Sequence, residues 1–125
     1  MQEISSQQLK KLPDELIDII KSYIFYEFLT NEGLKKAVHS WCSTCSYDRK
    51  LALSNYGHIS LWNTTKITDM SNLFEKKYGF NQNINDWDVS NVTNMENMFK
   101  DCDFFNQPLN KWNVSNVVNM ESMFQ

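Results

Sequence analysis

Phe80-Asn81-Gln82-Asn83-Ile84-Asn85-Asp86-Trp87 and Phe105-Asn106-Gln107-Pro108-Leu109-Asn110-Lys111-Trp112 are two copies of one phrase, 25 residues apart. The agreement runs on through Val89/Val114, Ser90/Ser115, Asn91/Asn116, Val92/Val117, Met95/Met120, Met98/Met123 and Phe99/Phe124. A fainter copy keeps the same offset in Ile59, Trp62, Ile67, Asp69, Met70, Leu73 and Phe74. A period of about 20 to 50 residues marks stacked supersecondary units, because one such unit cannot bury its apolar face without a neighbour. The units read as 55–79, 80–104 and 105–125, the last incomplete.

Spacing within a unit predicts its local structure. Ile84, Trp87, Val89 and Val92 alternate, or nearly so, around Asp88, Ser90 and Asn91, which suits a short strand with one buried side. Met95, Met98, Phe99 and Cys102 follow at steps that place them on one face of a short helix. The expected fold class is therefore an α/β repeat. A short helical N-terminal cap (1–54) precedes a leucine-rich-repeat-like solenoid with 25-residue coils (55–125). Trp62, Trp87 and Trp112 form a core ladder in this reading, and the Met and Phe columns pack beside it. Asn91, Asn94, Asn116 and Asn119 are expected to bond turn backbone and one another from coil to coil. The outward residues of the strand face are the candidate protein-binding strip. They are Leu61, Asn63 and Thr65, then Asp86, Asp88 and Ser90, then Lys111, Asn113 and Ser115.

The string Trp-x-Val-Ser-Asn-Val-x-Asn-Met-x-x-Met-Phe, complete in 112–124 and matched with Asp88 and Asn97 in its variable places in 87–99, resembles the BspA-type leucine-rich repeat. The resemblance covers about 55–125 and implies a module that binds other proteins, with no catalytic residues. Many bacterial members are surface adhesins, which gives the alternative reading of a cell-surface adhesion protein. The copy at 55–79 departs from the pattern, with Thr64, Thr65 and Lys66 in place of Val-Ser-Asn, and reads as the edge coil.

The front of the chain has a different pattern. Pro13 suits a first helical turn, and Asp14 and Glu15 suit the positive end of a helix. Leu16, Ile17, Ile20, Tyr23, Ile24 and Phe28 then form an amphipathic stripe. Asn31 is the expected cap of a second helix carrying Leu34, Ala37, Val38 and Trp41. Asp48 is the expected cap of a third, with Leu51, Ala52 and Tyr56, ended by Gly57. These helices would cover the open face of the first coil. Leu12-Pro13-Asp14-Glu15-Leu16 and the Ile-rich stretch after it also resemble the start of an F-box, over about 9–29. That resemblance implies docking on the Skp-type adaptor of a ubiquitin ligase through Leu12, Pro13, Leu16, Ile20 and Ile24. Only Val38-His39-Ser40-Trp41-Cys42 offers itself for the family's later Cys- and Trp-containing helix. Such a chain would hold the ligase at its front and a substrate on its repeats. This pairing occurs among large DNA viruses and protists.

Composition excludes several functions. The net charge is −3, which argues against a nucleic-acid partner. The most apolar stretch, 16–29, is interrupted by Asp18, Lys21 and Glu27 and is too short for a membrane span. The polar start is no secretory signal, so the expected compartment is the cytoplasm, or the host cytoplasm for a viral source. Three cysteines do not make a disulfide scaffold. His39, Cys42 and Cys45 have H-x-x-C-x-x-C spacing, but a metal needs a fourth ligand, and only Cys102 or His58 is on offer. Trp41-Cys42-Ser43-Thr44-Cys45 has the look of a redox string but follows a helix pattern where a strand is required. Formal glycosylation sequons begin at Asn63, Asn91 and Asn113 and carry no weight without a signal peptide. With no phosphate loop and no acid–base constellation, no enzyme, metal or cofactor is expected. The third coil ends on Met123-Phe124-Gln125 without a closing segment. That predicts a fragment or truncated product whose last coil frays or self-associates along the Trp112 and Val114 edge.

Overall fold

The computed structural model describes residues 13–17 and 25–125. Residues 14–17 make a helical turn, with Ile17 N donating to Pro13 O at 2.9 Å. The front stripe predicts Phe28 on the same helix, but the chain at 25–29 is not helical. Glu27 there makes a parallel bridge with Asn63. Phe28 N donates to Asn63 O (3.0 Å), Asn63 N donates to Tyr26 O (2.8 Å), and the Phe28 ring is buried.

Helix α1 (Asn31–Trp41) is capped by Thr30, whose hydroxyl accepts from Gly33 N at 3.0 Å. Asn31, the expected cap, lies inside the helix, and its amide ties α1 to the first repeat. Its Oδ1 accepts from Thr68 N (3.1 Å) and Asp69 N (3.3 Å), and its Nδ2 donates to Thr68 Oγ1 (3.2 Å). Leu34, Ala37 and Val38 bury one face of α1 in a core shared with Phe28, Ile59 and Trp62. Helix α2 (Ser46–Tyr56) follows Cys45 and places Asp48 in its first turn. It ends at Gly57, where a φ of 72° suits a residue without a Cβ. Of α2, Ala52 is fully buried, while Leu51 and Leu53 stay exposed. A 3₁₀ turn, Ile59–Leu61, leads into the repeats.

The repeats correct the expected fold class. Among the described residues there is no strand, only the isolated bridges Glu27–Asn63, Asp69–Asn94 and Asn94–Asn119, and no helix follows Leu61. The leucine-rich-repeat-like solenoid of strand–helix coils does not form. Where a strand is expected, Trp87 N bonds Ile84 O (3.1 Å) and Val92 N bonds Val89 O (3.0 Å), so the segment is folded into turns. Where a helix is expected, Asn97 and Asp101 have φ of 55° and 56°, as Asn72 and Lys76 have 59° and 60° one repeat earlier. A right-handed helix cannot pass through such residues.

Freed from i→i−4 bonding, alternate N–H groups cross to the next repeat. Met70, Asn72 and Phe74 donate to the carbonyls of Asn94, Glu96 and Met98, each at 2.9 Å. Met95, Asn97 and Phe99 donate to those of Asn119, Glu121 and Met123 at 2.8, 3.0 and 2.8 Å. The amides between them close turns, such as Met98 N to Met95 O at 3.2 Å. The repeats are thus bonded to one another through their backbones without a sheet or a helix.

Columns of like residues fill the interior. Phe74, Phe99 and Phe124 stack at 5.5 and 5.4 Å between centroids, with planes within 4° and 3°. Phe80 and Phe105 form a second column at 5.7 Å. The indole N–H of Trp87 donates to Ile59 O (2.8 Å) and that of Trp112 to Ile84 O (3.0 Å), so each tryptophan is pinned to the preceding repeat. The third repeat repeats this chemistry with more exposure: Phe124 is 64% exposed where Phe99 is 3%.

Candidate protein-binding surface

The polar residues singled out in the sequence come together, though as turns and not as a strand face. Asn63 Oδ1 accepts from Thr65 N (3.0 Å) and Thr65 Oγ1 (2.6 Å). Asp88 Oδ1 accepts from Ser90 N (2.9 Å) and Ser90 Oγ (2.6 Å). Asn113 Oδ1 accepts from Ser115 N (3.1 Å). Each is an Asx turn, in which a short side-chain oxygen holds the amide two residues on. Asn91 Nδ2 then donates to Thr65 O (2.7 Å) and Asn116 Nδ2 to Ser90 O (2.6 Å), tying each turn to the one before.

Asp86 and Lys111 complete the strip as an ion pair at 3.0 Å. Their side chains are 71% and 65% exposed, so the pair contributes little to stability. Leu61 is half-buried in the 3₁₀ turn. A second set of Asx turns lies along the inter-repeat ladder: Asp69 holds Ser71 N (2.8 Å), Asn94 holds Glu96 N (3.0 Å) and Asn119 holds Glu121 N (3.0 Å). Burial alone would raise the Asp69 carboxyl. The Ser71 hydrogen bonds and the charge of Lys35 outweigh it and hold the group below its ordinary 3.8.

Of the adaptor-docking residues, Pro13 opens the helical turn and Leu16 is exposed. Leu12, Ile20 and Ile24 lie outside the described residues. The Cys42 and Cys102 thiols are poor nucleophiles. Burial pushes the Cys42 thiol up to about 12 despite the charge of Lys77, and the Cys102 thiol up to about 11. Both therefore keep their protons at neutral pH, whereas attack on a disulfide needs thiolate. Cys102 donates its S–H to Lys77 O at 3.2 Å, and His58 Nδ1 accepts from Ser60 N at 3.2 Å. Among the described residues no three metal-ligating side chains gather.

Sequence reasoning missed a cleft between the helices and the first repeat, lined by Arg49, Lys50, Lys76 and Lys77. The two dibasic pairs were its only signal, and nothing in the spacing of 49–50 and 76–77 shows that they face a common space.

No helix among the described residues is long and apolar enough to cross a membrane. Comparison with curated proteins and with solved structures returns no match. A family model does match, over residues 29–125, which takes in α1, α2 and all three repeats. The chain belongs to that family, described as Mycoplasma protein of unknown function, DUF285.

Proposed function

We propose that the chain is a non-enzymatic protein-binding module that uses the strip from Asn63 to Ser115. One observation carries this reading: the strip's exposed polar groups are immobilised by Asx turns and inter-repeat amide bonds before any partner arrives. A surface ordered in advance loses little conformational entropy on binding. A photo-crosslinking residue at Thr65, Ser90 or Ser115 should trap a discrete protein in the source cell, and one at Tyr47 should not. Equal labelling from all four positions would refute the assignment.

The front segment makes the module an adaptor. Its F-box-like Leu12-Pro13-Asp14-Glu15-Leu16 would hold a Skp-type subunit of a ubiquitin ligase, and the 43% exposure of Leu16 leaves that side chain available. The full chain should capture a purified Skp-type adaptor, and Leu16→Asp should abolish capture with an unchanged thermal midpoint. Absence of capture by the wild type would remove the ubiquitin link.

A second reading is adhesion at a bacterial surface, favoured by the Mycoplasma of the family description. Labelling of intact, unpermeabilised cells by an antibody to the strip supports adhesion, and labelling only after permeabilisation supports the adaptor.

A further inference from the structure

The cleft between α2, the end of α1 and the segment 76–82 encloses about 900 Å³. Arg49 and Lys50 line it from α2, and Lys76 and Lys77 from the first repeat. Among the described residues no carboxylate lines it, in a chain whose 15 acidic residues outnumber its 12 basic ones. The ion pairs among the described residues are Lys66–Glu27 and Lys111–Asp86, so none of these four cations is neutralised by one.

Two of the cations are held in place. Arg49, the chain's one arginine, donates from Nη1 to Ser43 O at 2.8 Å and keeps its remaining N–H donors. Lys77 Nζ donates to His39 Nδ1 at 3.2 Å, which fixes the ammonium at the wall of the cleft. An adjoining groove of about 330 Å³ extends the positive tract to Lys35, with Glu75 as its one acidic group among the described residues. Like charges gathered in a partly enclosed space repel one another, and an anion relieves that repulsion.

The geometry points to a second binding site here, for an acidic peptide segment of a partner protein, its carboxylates set against Arg49, Lys50, Lys76 and Lys77. The cations come from two walls, α2 and the first repeat, so an extended, multiply charged ligand suits them. Single-stranded nucleic acid needs a series of stacking rings. Trp41 is already engaged edge-on by His58 and Trp62, which leaves Tyr78 as the exposed ring. Thr44 and Gln82 supply hydrogen-bonding groups suited to a peptide chain, while the Ser43 hydroxyl is taken up in donating to Asp48 Oδ2 at 3.0 Å.

The site shares no residue with the strip from Asn63 to Ser115, so the two assignments fail separately. The test uses the full chain and a fluorescein-labelled oligoglutamate peptide, read by fluorescence anisotropy at low salt. Saturable binding is expected, weakened roughly fivefold on going to physiological salt. Arg49→Gln with Lys77→Gln should weaken it roughly tenfold or more, and so should Lys50→Gln with Lys76→Gln, each pair taking one cation from each wall. Lys66→Gln, and Asp86→Asn with Asp88→Asn in the strip, should leave it unchanged. Circular dichroism confirms that each variant is folded. The site is overturned by absence of saturable binding at about 1 mM peptide or by wild-type affinity in both double variants. Tighter binding of ATP or of an oligonucleotide than of the peptide would overturn the choice of ligand.

Discussion

Replacing Trp87 by alanine removes the central member of the tryptophan column. The side chain is 2% exposed, stacks on Trp62 at 6.2 Å, meets Phe74 at 5.9 Å and donates to Ile59 O at 2.8 Å. A buried tryptophan removes about 150 to 250 Å² from water, and large aromatic-to-alanine changes in cores cost about 3 to 5 kcal/mol. The Ile59 carbonyl keeps its bond from Trp62 N at 3.3 Å, so losing the indole N–H adds only the net worth of one hydrogen bond, about 0.5 to 1.5 kcal/mol. The expected loss is therefore about 5 kcal/mol, which is a large part of the total stability of a small domain. Trp112 makes the equivalent bond to Ile84 O but is only half-buried, so Trp112→Ala should cost about half as much. Trp87→Phe keeps a ring and loses the N–H, and should fall between the two. Urea denaturation followed by far-ultraviolet circular dichroism measures all three. A Trp87→Ala chain within about 1 kcal/mol of wild type, or a Trp112→Ala chain damaged more than it, would refute the in-register stack.

Asn97→Ala should cost about 1 kcal/mol at its left-handed backbone, while Asn97→Gly should be close to neutral; matched urea titrations compare them. Burial raises the folded-state pKa of Cys42 and Cys102 above their ordinary 9.0, so the folded chain keeps protons that the unfolded chain releases. Stability from these thiols is intact below pH 9.0 and lost as pH rises toward about 11 and 12; Cys42→Ala with Cys102→Ala should flatten that alkaline decline in a thermal-midpoint series. At neutral pH a thiol reagent should modify the exposed Cys45 well before either of them, as mass spectrometry of the labelled native chain would show. Lys111→Gln should change stability by less than about 0.5 kcal/mol, because its ion pair with Asp86 is exposed.

The repeat and its register were legible in the sequence because identical residues must stack on identical residues. Trp62 over Trp87 and Phe74 over Phe99 follow from the 25-residue offset alone. The local structure was not legible, since steps of three and four between apolar residues serve a chain of turns as well as a helix. The deciding feature is the left-handed backbone at Asn72, Lys76, Asn97, Asp101 and Ser122, and none of these is a glycine that would announce it. The same holds for the strip. Asn63, Asp88 and Asn113 were read as outward ligand-binding groups, whereas their first role is to hold Thr65, Ser90 and Ser115 in turns. The cap of α1 was misplaced by one residue because Thr30 and Asn31 are both good caps, and the demand of Thr68 and Asp69 for an acceptor takes Asn31.

The central claim is that alternate amides of one repeat bond the carbonyls of the next. Trans-hydrogen-bond scalar couplings in an isotope-labelled sample read such pairs directly. The account predicts correlations from the amide nitrogens of Met95, Asn97 and Phe99 to the carbonyl carbons of Asn119, Glu121 and Met123. A correlation from Phe99 N to the Met95 carbonyl, the signature of an α-helix, would contradict it.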